Sequence, residues 1–248
     1  VGFNAKAALA SMDLTAAGFP GPKRIFNGEH GYFKLIENDD YDTQYLQDNI
    51  GKIWMVNQLA HKPYPSGRLT HGLVHAIKDL KLTHGLNQND IDTIECHVPP
   101  GVYKLVARPM VDNLTTNYAK LCAKFVGASY MINGHLDIES FTEEKYLNNR
   151  ETLDFAKKIT LIKNEKLDQK ALTPQKFVIT LVNSKKIEIN LDNVYGHPEV
   201  PMSEEEYLDK FSKCCFSSTE KFDQNQVNAL IDFIFDLENK ENVVDFFK

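Results

Sequence analysis

Apolar positions along the chain follow two rhythms, one of three or four residues and one of two, and the switch between them divides the sequence. In "VGFNAKAALASMDLTAAG", Ala7, Leu14 and their neighbours recur at helical spacing until Gly18 and "FPGP", so residues 1–17 are expected to form a helix with a Gly/Pro exit. Residues 29–53 set Tyr32, Phe33, Tyr41 and Tyr45 among acids, a pattern of short helices. "IWMVNQLA" at 53–60 reads as a strand or extended segment. Beyond "KPYP", Leu69, Leu73, Ile77 and Leu80 mark the apolar stripe of an amphipathic helix.

The period then shortens. "IDTIECHV" (91–98) alternates as a half-buried strand does, and residues 116–133 return to one helix that stops at "NG". A short charged helix at 150–158 leads into "ITLIK". Two β-branched runs, "KFVITLVN" and "KIEINL", separated by "SKK", predict a hairpin. Ser203 with Glu206 three positions later forms a capping-box pattern that opens a helix over 202–214, and 223–247 is a last helical block.

Strands and helices thus alternate in the middle, while both ends are helical. The fold class expected is α+β: an all-helical domain formed from both chain ends (1–56 and 201–248) with an inserted α+β lid domain (57–200). "KPYPSG" and "YGHPEVP" mark the seams. A tail of about 50 residues does not easily form its own core, so 202–248 is expected to pack on 1–53.

Composition narrows the function classes. At 248 residues the chain suits one large domain or two smaller ones. A net charge of -6 and a pI near 5.8 argue against whole-surface attraction to nucleic acid or to an anionic membrane. No apolar run reaches the ~18–20 residues that span a bilayer, and the start lacks the pattern of a secretory leader. Cys96, Cys122, Cys214 and Cys215 include no CxxC half-site and no pair with a bridging pattern, so a reduced, cytoplasmic setting is expected. The chain begins at Val1, already inside a helical pattern, and reads as processed or truncated.

Against this acidic background, "AHKPYPSGRLTH" (60–71) stands out. Pro63 and Pro65 fix φ at two of three positions and project Lys62 and Tyr64 in defined directions. Gly67 releases the backbone, and a helix is expected to begin near Arg68, with Thr70 and His71 in its first turns. A helix start with Arg68 beside it suits a carboxylate, and a partly desolvated lysine in a cationic cluster can exchange a proton. The plain alternative is a stiff, solvated basic loop.

Other features carry less. His71 and His75 lie one turn apart, but no third ligand accompanies them and "HGLVH" lacks the glutamate of HExxH enzymes, so no metal is expected. Lys213 beside Cys214 and Cys215 could lower a thiol pKa, yet no histidine partner is close in sequence. The glycine loops match neither GxGxxG nor the P-loop. "ENDDYD" and "SEEEY" read as solvated faces and helix starts.

Several stretches together resemble the MmgE/PrpD family. "GFPGP" is similar to that family's GFTGP segment, and "KPYPSGRLTH" to its KPYPxCRxxH segment. "NYAKLCAKFVGASYMINGHLDIESFTEE" is similar to its AxFSLPYxxAxALLDGxxxxxxFT helix, and "GHPEVPMSEEEYLDKF" to its GxPxNPMSxxExxxKF ending. All four occur in order. The resemblance implies a lyase or isomerase that acts on a small di- or tricarboxylate without a metal or organic cofactor, by proton abstraction next to a carboxylate followed by loss of water or carbon dioxide, or by a change of configuration. It implies Lys62 as the catalytic lysine and Arg68, His71 and Tyr64 as substrate-binding neighbours, with a homodimer or a complementing N-terminal chain as partner. Two departures qualify it: the family's N-terminal half, with its own Asp and His, has no counterpart here, and the family's Pro-Tyr pair falls on Lys124 and Phe125, so a pocket hydroxyl is expected to be missing. A non-catalytic carboxylate-binding or assembly module is the alternative.

Overall fold

The structure is a computed structural model that describes residues 2–38 and 40–244. The chain divides into two compact units, Val1–Met55 and Val56–Lys248. In the first, α1 (Gly2–Ala16) ends before Gly18, whose φ of 91° is open to glycine at no steric cost. Then follow α2 (Tyr32–Glu37) and α3 (Thr43–Asn49), the latter capped by the Asp42 side chain on the Tyr45 N–H. Phe33 stacks on Tyr41 with ring centroids 4.2 Å apart and leans on Phe26, which gathers the aromatics of this unit. Helices were expected here, and helices form. "IWMVNQLA" departs from expectation: residues Met55–Gln58 are a 3₁₀ turn and no strand, with Met55, Val56 and Leu59 exposed. An apolar run without a neighbouring strand to take up its N–H and C=O groups closes them locally instead.

The second unit begins with a 3₁₀ turn at Arg68–Thr70 that leads into α4 (His71–His84), stopped by Gly85 in the left-handed conformation. β1 (Ile91–Val98) and α5 (Pro100–Val106) follow, then α6 (Thr116–Ala119) and α7 (Ala123–Asn133). After a 3₁₀ turn at Ile138–Phe141 come α8 (Glu144–Leu147) and α9 (Arg150–Ala156). β2 (Ile159–Lys163), β3 (Gln175–Leu181) and β4 (Lys186–Leu191) complete a sheet of order β2-β1-β3-β4. β1 runs parallel to β2 and antiparallel to β3, and β3 pairs with β4 as the expected hairpin. α10 (Glu204–Phe216) carries the expected capping box on Ser203 and Glu206, and α11 (Gln224–Phe235) carries another on Asp223 and Gln226. The end of the last expected block, 245–247, lies outside the described residues.

The alternation in β3 explains the layering. Gln175, Phe177, Ile179 and Leu181 are buried while the residues between them are only partly so, so one face of the sheet is covered. Leu73, Ile77 and Leu80 of α4, Met131 of α7 and Phe155 of α9 close over it in one continuous core. α4 and α7 approach tightly: a Cβ at Gly127 would fall 2.6 Å from Leu73 Cδ2. Away from the sheet, Val74 and Phe125 join Phe141 and Leu136 in a second core.

One expected helix is two. Residues 116–133 break at 120–122 because the Lys120 carbonyl accepts the Gly67 N–H at 2.8 Å, and Cys122 takes extended dihedrals as the N-cap of α7. Apolar periodicity does not report such a break, because its cause is a loop 53 residues earlier in the chain.

Candidate functional site

The break anchors the "KPYPSGRLTH" loop from one side; a turn at 194–196 anchors it from the other. His61 N donates to Gly196 O at 2.7 Å, and Gly196 sits at φ 89° where a Cβ would run into the His61 carbonyl. Arg68 Nη1 donates to Tyr195 O at 2.6 Å and Nη2 to Val194 O at 2.9 Å. The two segments with the most distinctive resemblance, far apart in sequence, therefore form one structure.

Beneath this loop lies a hydrogen-bond chain whose direction is fixed by chemistry. Arg68 has no acceptor, so its Nη1, 3.4 Å from His71 Nδ1, makes that nitrogen the acceptor. Nε2 then carries the ring proton and donates to Ser66 Oγ at 3.0 Å; Ser66 donates to Thr70 Oγ1 at 3.0 Å, and Thr70 to Gly67 O at 2.8 Å. Ser66, Thr70 and His71 are buried. Burial, with the charges of Arg68 and Lys62 added, lowers the His71 pKa to about 3, so the ring is neutral near pH 7.

His71, His75 and Lys78 line one stripe of α4. His75 Nδ1 accepts the Tyr195 N–H at 3.2 Å, and burial lowers its pKa too. Each imidazole is thus held by a different partner, and among the described residues no three His, Cys, Asp or Glu side chains gather as a metal site. Lys78 Nζ lies 4.4 Å from the Tyr195 ring centroid and 3.3 Å from Glu206 Oε1.

Glu206 also accepts the Ser203 N–H at 2.9 Å. Burial alone would raise its carboxyl, but Tyr195, the Ser203 N–H and Lys78 outweigh that and hold it at about 2. The Tyr195 hydroxyl acts on that carboxylate at a geometry short of a regular hydrogen bond, since its shielded Oη makes none among the described residues. Glu206 stabilises the fold above its ordinary 4.5, and that contribution fades as pH falls towards 2. Glu206→Gln is expected to free α10 from α4, seen as faster amide exchange in the first turn of α10 at pH 7; unchanged exchange would show that Lys78 does not hold it.

Tyr64 meets His71 and Tyr130 edge to face, with centroids 5.3 and 5.7 Å away. Burial first, then the neighbouring Tyr130 and Tyr195 phenols, raises its pKa, so Tyr64 stays a neutral hydroxyl. Lys62 is exposed and makes no ion pair among the described residues. Of the four residues read from the sequence, Lys62 keeps an exposed ammonium, and the half-buried Tyr64 hydroxyl interacts with that of Tyr130. Arg68 has both terminal nitrogens on backbone carbonyls and His71 is fully covered.

The chain's departure at Phe125 also takes on a meaning. Phe125 lies in the second core, 6.2 Å from Phe141 between ring centroids, with no exposure. Phe125→Tyr is expected to cost about 1–3 kcal/mol by burying an unpaired hydroxyl, measured by urea unfolding, and to add nothing to the site. Tyr130, more than a turn away, supplies a phenol next to Tyr64 instead. Tyr130, Tyr195, Lys78 and Glu206 were missed by sequence reasoning; the helical offset of Lys78 from His71 and His75 was the available signal for one of them. Two further depressions, one of about 210 Å³ lined by Val111 and Leu147 and one of about 320 Å³ lined by Ile132 and Lys158, include none of these groups.

The MmgE/PrpD C-terminal domain profile matches residues 64–234, well over half of the chain. The chain belongs to the MmgE/PrpD family. It is 24% identical to mouse (Mus musculus) cis-aconitate decarboxylase over 257 aligned residues, covering 98% of this chain and 49% of that protein. It is 23% identical to the human (Homo sapiens) cis-aconitate decarboxylase over 250, covering 98% and 50%. The chain thus spans about half the length of the curated relatives it matches. The MmgE/PrpD match covers both anchoring segments, from Tyr64 through the 194–196 turn to α10. No helix among the described residues is long and apolar enough to cross a membrane.

Proposed function

We propose that this chain forms one wall of a lyase site for a small di- or tricarboxylate, of the decarboxylase or dehydratase type. The observation that carries it is the rigid mounting of exposed Lys62 and the Tyr64 phenol on a loop fixed at Gly67 and at Gly196. The decarboxylase names of the relatives favour loss of carbon dioxide. In that reaction the bond to the departing carboxylate breaks, its electron pair stays on carbon, and the Lys62 ammonium donates the proton that the carbon takes up. Tyr64, held neutral, hydrogen-bonds a remaining carboxylate. The groups that complete the site come from a further segment or a partner chain, a second copy included. No metal or organic cofactor enters these steps.

A second reading follows from Arg68 and His71. With one engaged on backbone and the other buried, two of the four expected pocket residues cannot turn to a substrate, which suits a module without turnover in which Lys62 and Tyr64 alone meet a carboxylate. Calorimetry with citrate and cis-aconitate, paired with an assay of cis-aconitate loss, separates the two. Binding with turnover supports the lyase, binding without turnover supports the module, and the absence of both rejects the site.

A further inference from the structure

The carboxylate grip that the loop sequence assigns to Arg68 is closed off, so a cation from elsewhere must serve if a polycarboxylate is to be held at more than one point. We infer that Lys210 of α10, together with Lys62, forms that two-point anion seat; this rests on the polycarboxylate reading above.

Three observations place it. The His61 ring packs edge to face on Tyr207 with centroids 5.0 Å apart, which sets Lys62 beside the second turn of α10. Lys210 follows Tyr207 by three residues and so lies on the same helix face, one turn on. Both Lys62 and Lys210 lie close enough to His71 for their charges to act on its ring, below the loop.

The local ion pairs explain why Lys210 is available. Glu206, four residues earlier, is the ordinary helical partner for it, but its carboxylate turns to Lys78 and the Ser203 N–H. Asp209 pairs with Lys213 at 2.8 Å, and Lys213 also faces Asp137 at 3.9 Å. Lys210, half-buried, has no carboxylate partner among the described residues, and neither has exposed Lys62. Two cations lacking acids, on elements fixed to each other through His61 and Tyr207, fit a ligand with two carboxylates and hold one with a single carboxylate at only one end.

The test is calorimetry of the chain with citrate and with acetate in the wild type, Lys210→Gln, Lys62→Gln and Lys213→Gln. Lys210→Gln is expected to weaken citrate about tenfold, an effect typical of one charge-assisted contact, to leave any weak acetate binding unchanged, and to keep the thermal midpoint. Lys213→Gln is expected to leave citrate binding unchanged. Citrate binding lost with Lys62→Gln but kept with Lys210→Gln overturns the Lys210 assignment alone. Equal losses in Lys210→Gln and Lys213→Gln show a general charge effect and overturn it as well. A wild type that does not bind citrate overturns both the seat and the reading on which it rests.

Discussion

Replacing His71 by alanine is expected to destabilise the chain by about 3 kcal/mol, the sum of a small cavity and of buried hydrogen bonds left without partners. The imidazole joins Arg68 to Ser66, and Ser66 joins Thr70, so removing it strands a hydroxyl among buried neighbours. The same ring sets an acid limit. An unfolded histidine titrates near 6.5 and the folded ring at about 3, so between those values the unfolded chain binds the extra proton. Stability is complete above pH 6.5 and falls as pH falls, by up to about 1.4 kcal/mol per pH unit for this group. His75 shifts in the same direction and adds to it. Urea unfolding at pH 7 and pH 5 is expected to show this slope in the wild type and a flatter one in His71→Gln, which retains a neutral donor. An unchanged slope in His71→Gln would assign the acid limit to other groups.

Lys62→Ala is expected to leave the unfolding midpoint within about 0.5 kcal/mol of the wild type, because surface substitutions away from buried networks rarely do more. In the complemented enzyme it is expected to lower the rate of cis-aconitate loss by about 10²–10⁴, the range for a lost proton donor. The expected pattern is a fall in kcat larger than any rise in KM, since the proton is delivered at the transition state. Lys62→Arg keeps the charge and is expected to recover binding but not rate. Full activity in Lys62→Ala would remove Lys62 from the chemistry.

Much of the second unit was legible because its causes are local. The Leu73, Ile77 and Leu80 stripe, the alternation of β1 and β3, and the Ser203–Glu206 capping box each depend on neighbours within a turn or a strand. What escaped depends on distant partners. The helix break at 120–122 exists for the Gly67 N–H, the Arg68 guanidinium is claimed by Val194 and Tyr195 carbonyls, and Glu206 turns from its helical neighbour to Lys78. "IWMVNQLA" reads as a strand by composition, but a strand needs a ladder partner. Its prolines and charges mark the loop "AHKPYPSGRLTH" as a candidate; that Arg68 is not free is decided by the 194–196 turn.

The most direct measurement is a titration of the isotopically labelled chain with cis-aconitate, followed by backbone-amide NMR. A carboxylate site on this loop predicts shifts concentrated at residues 61–68, 194–196 and 206–210, absent from the Lys62→Ala variant. Shifts confined to the depression lined by Val111 and Leu147, or no saturable shifts at all, would contradict it.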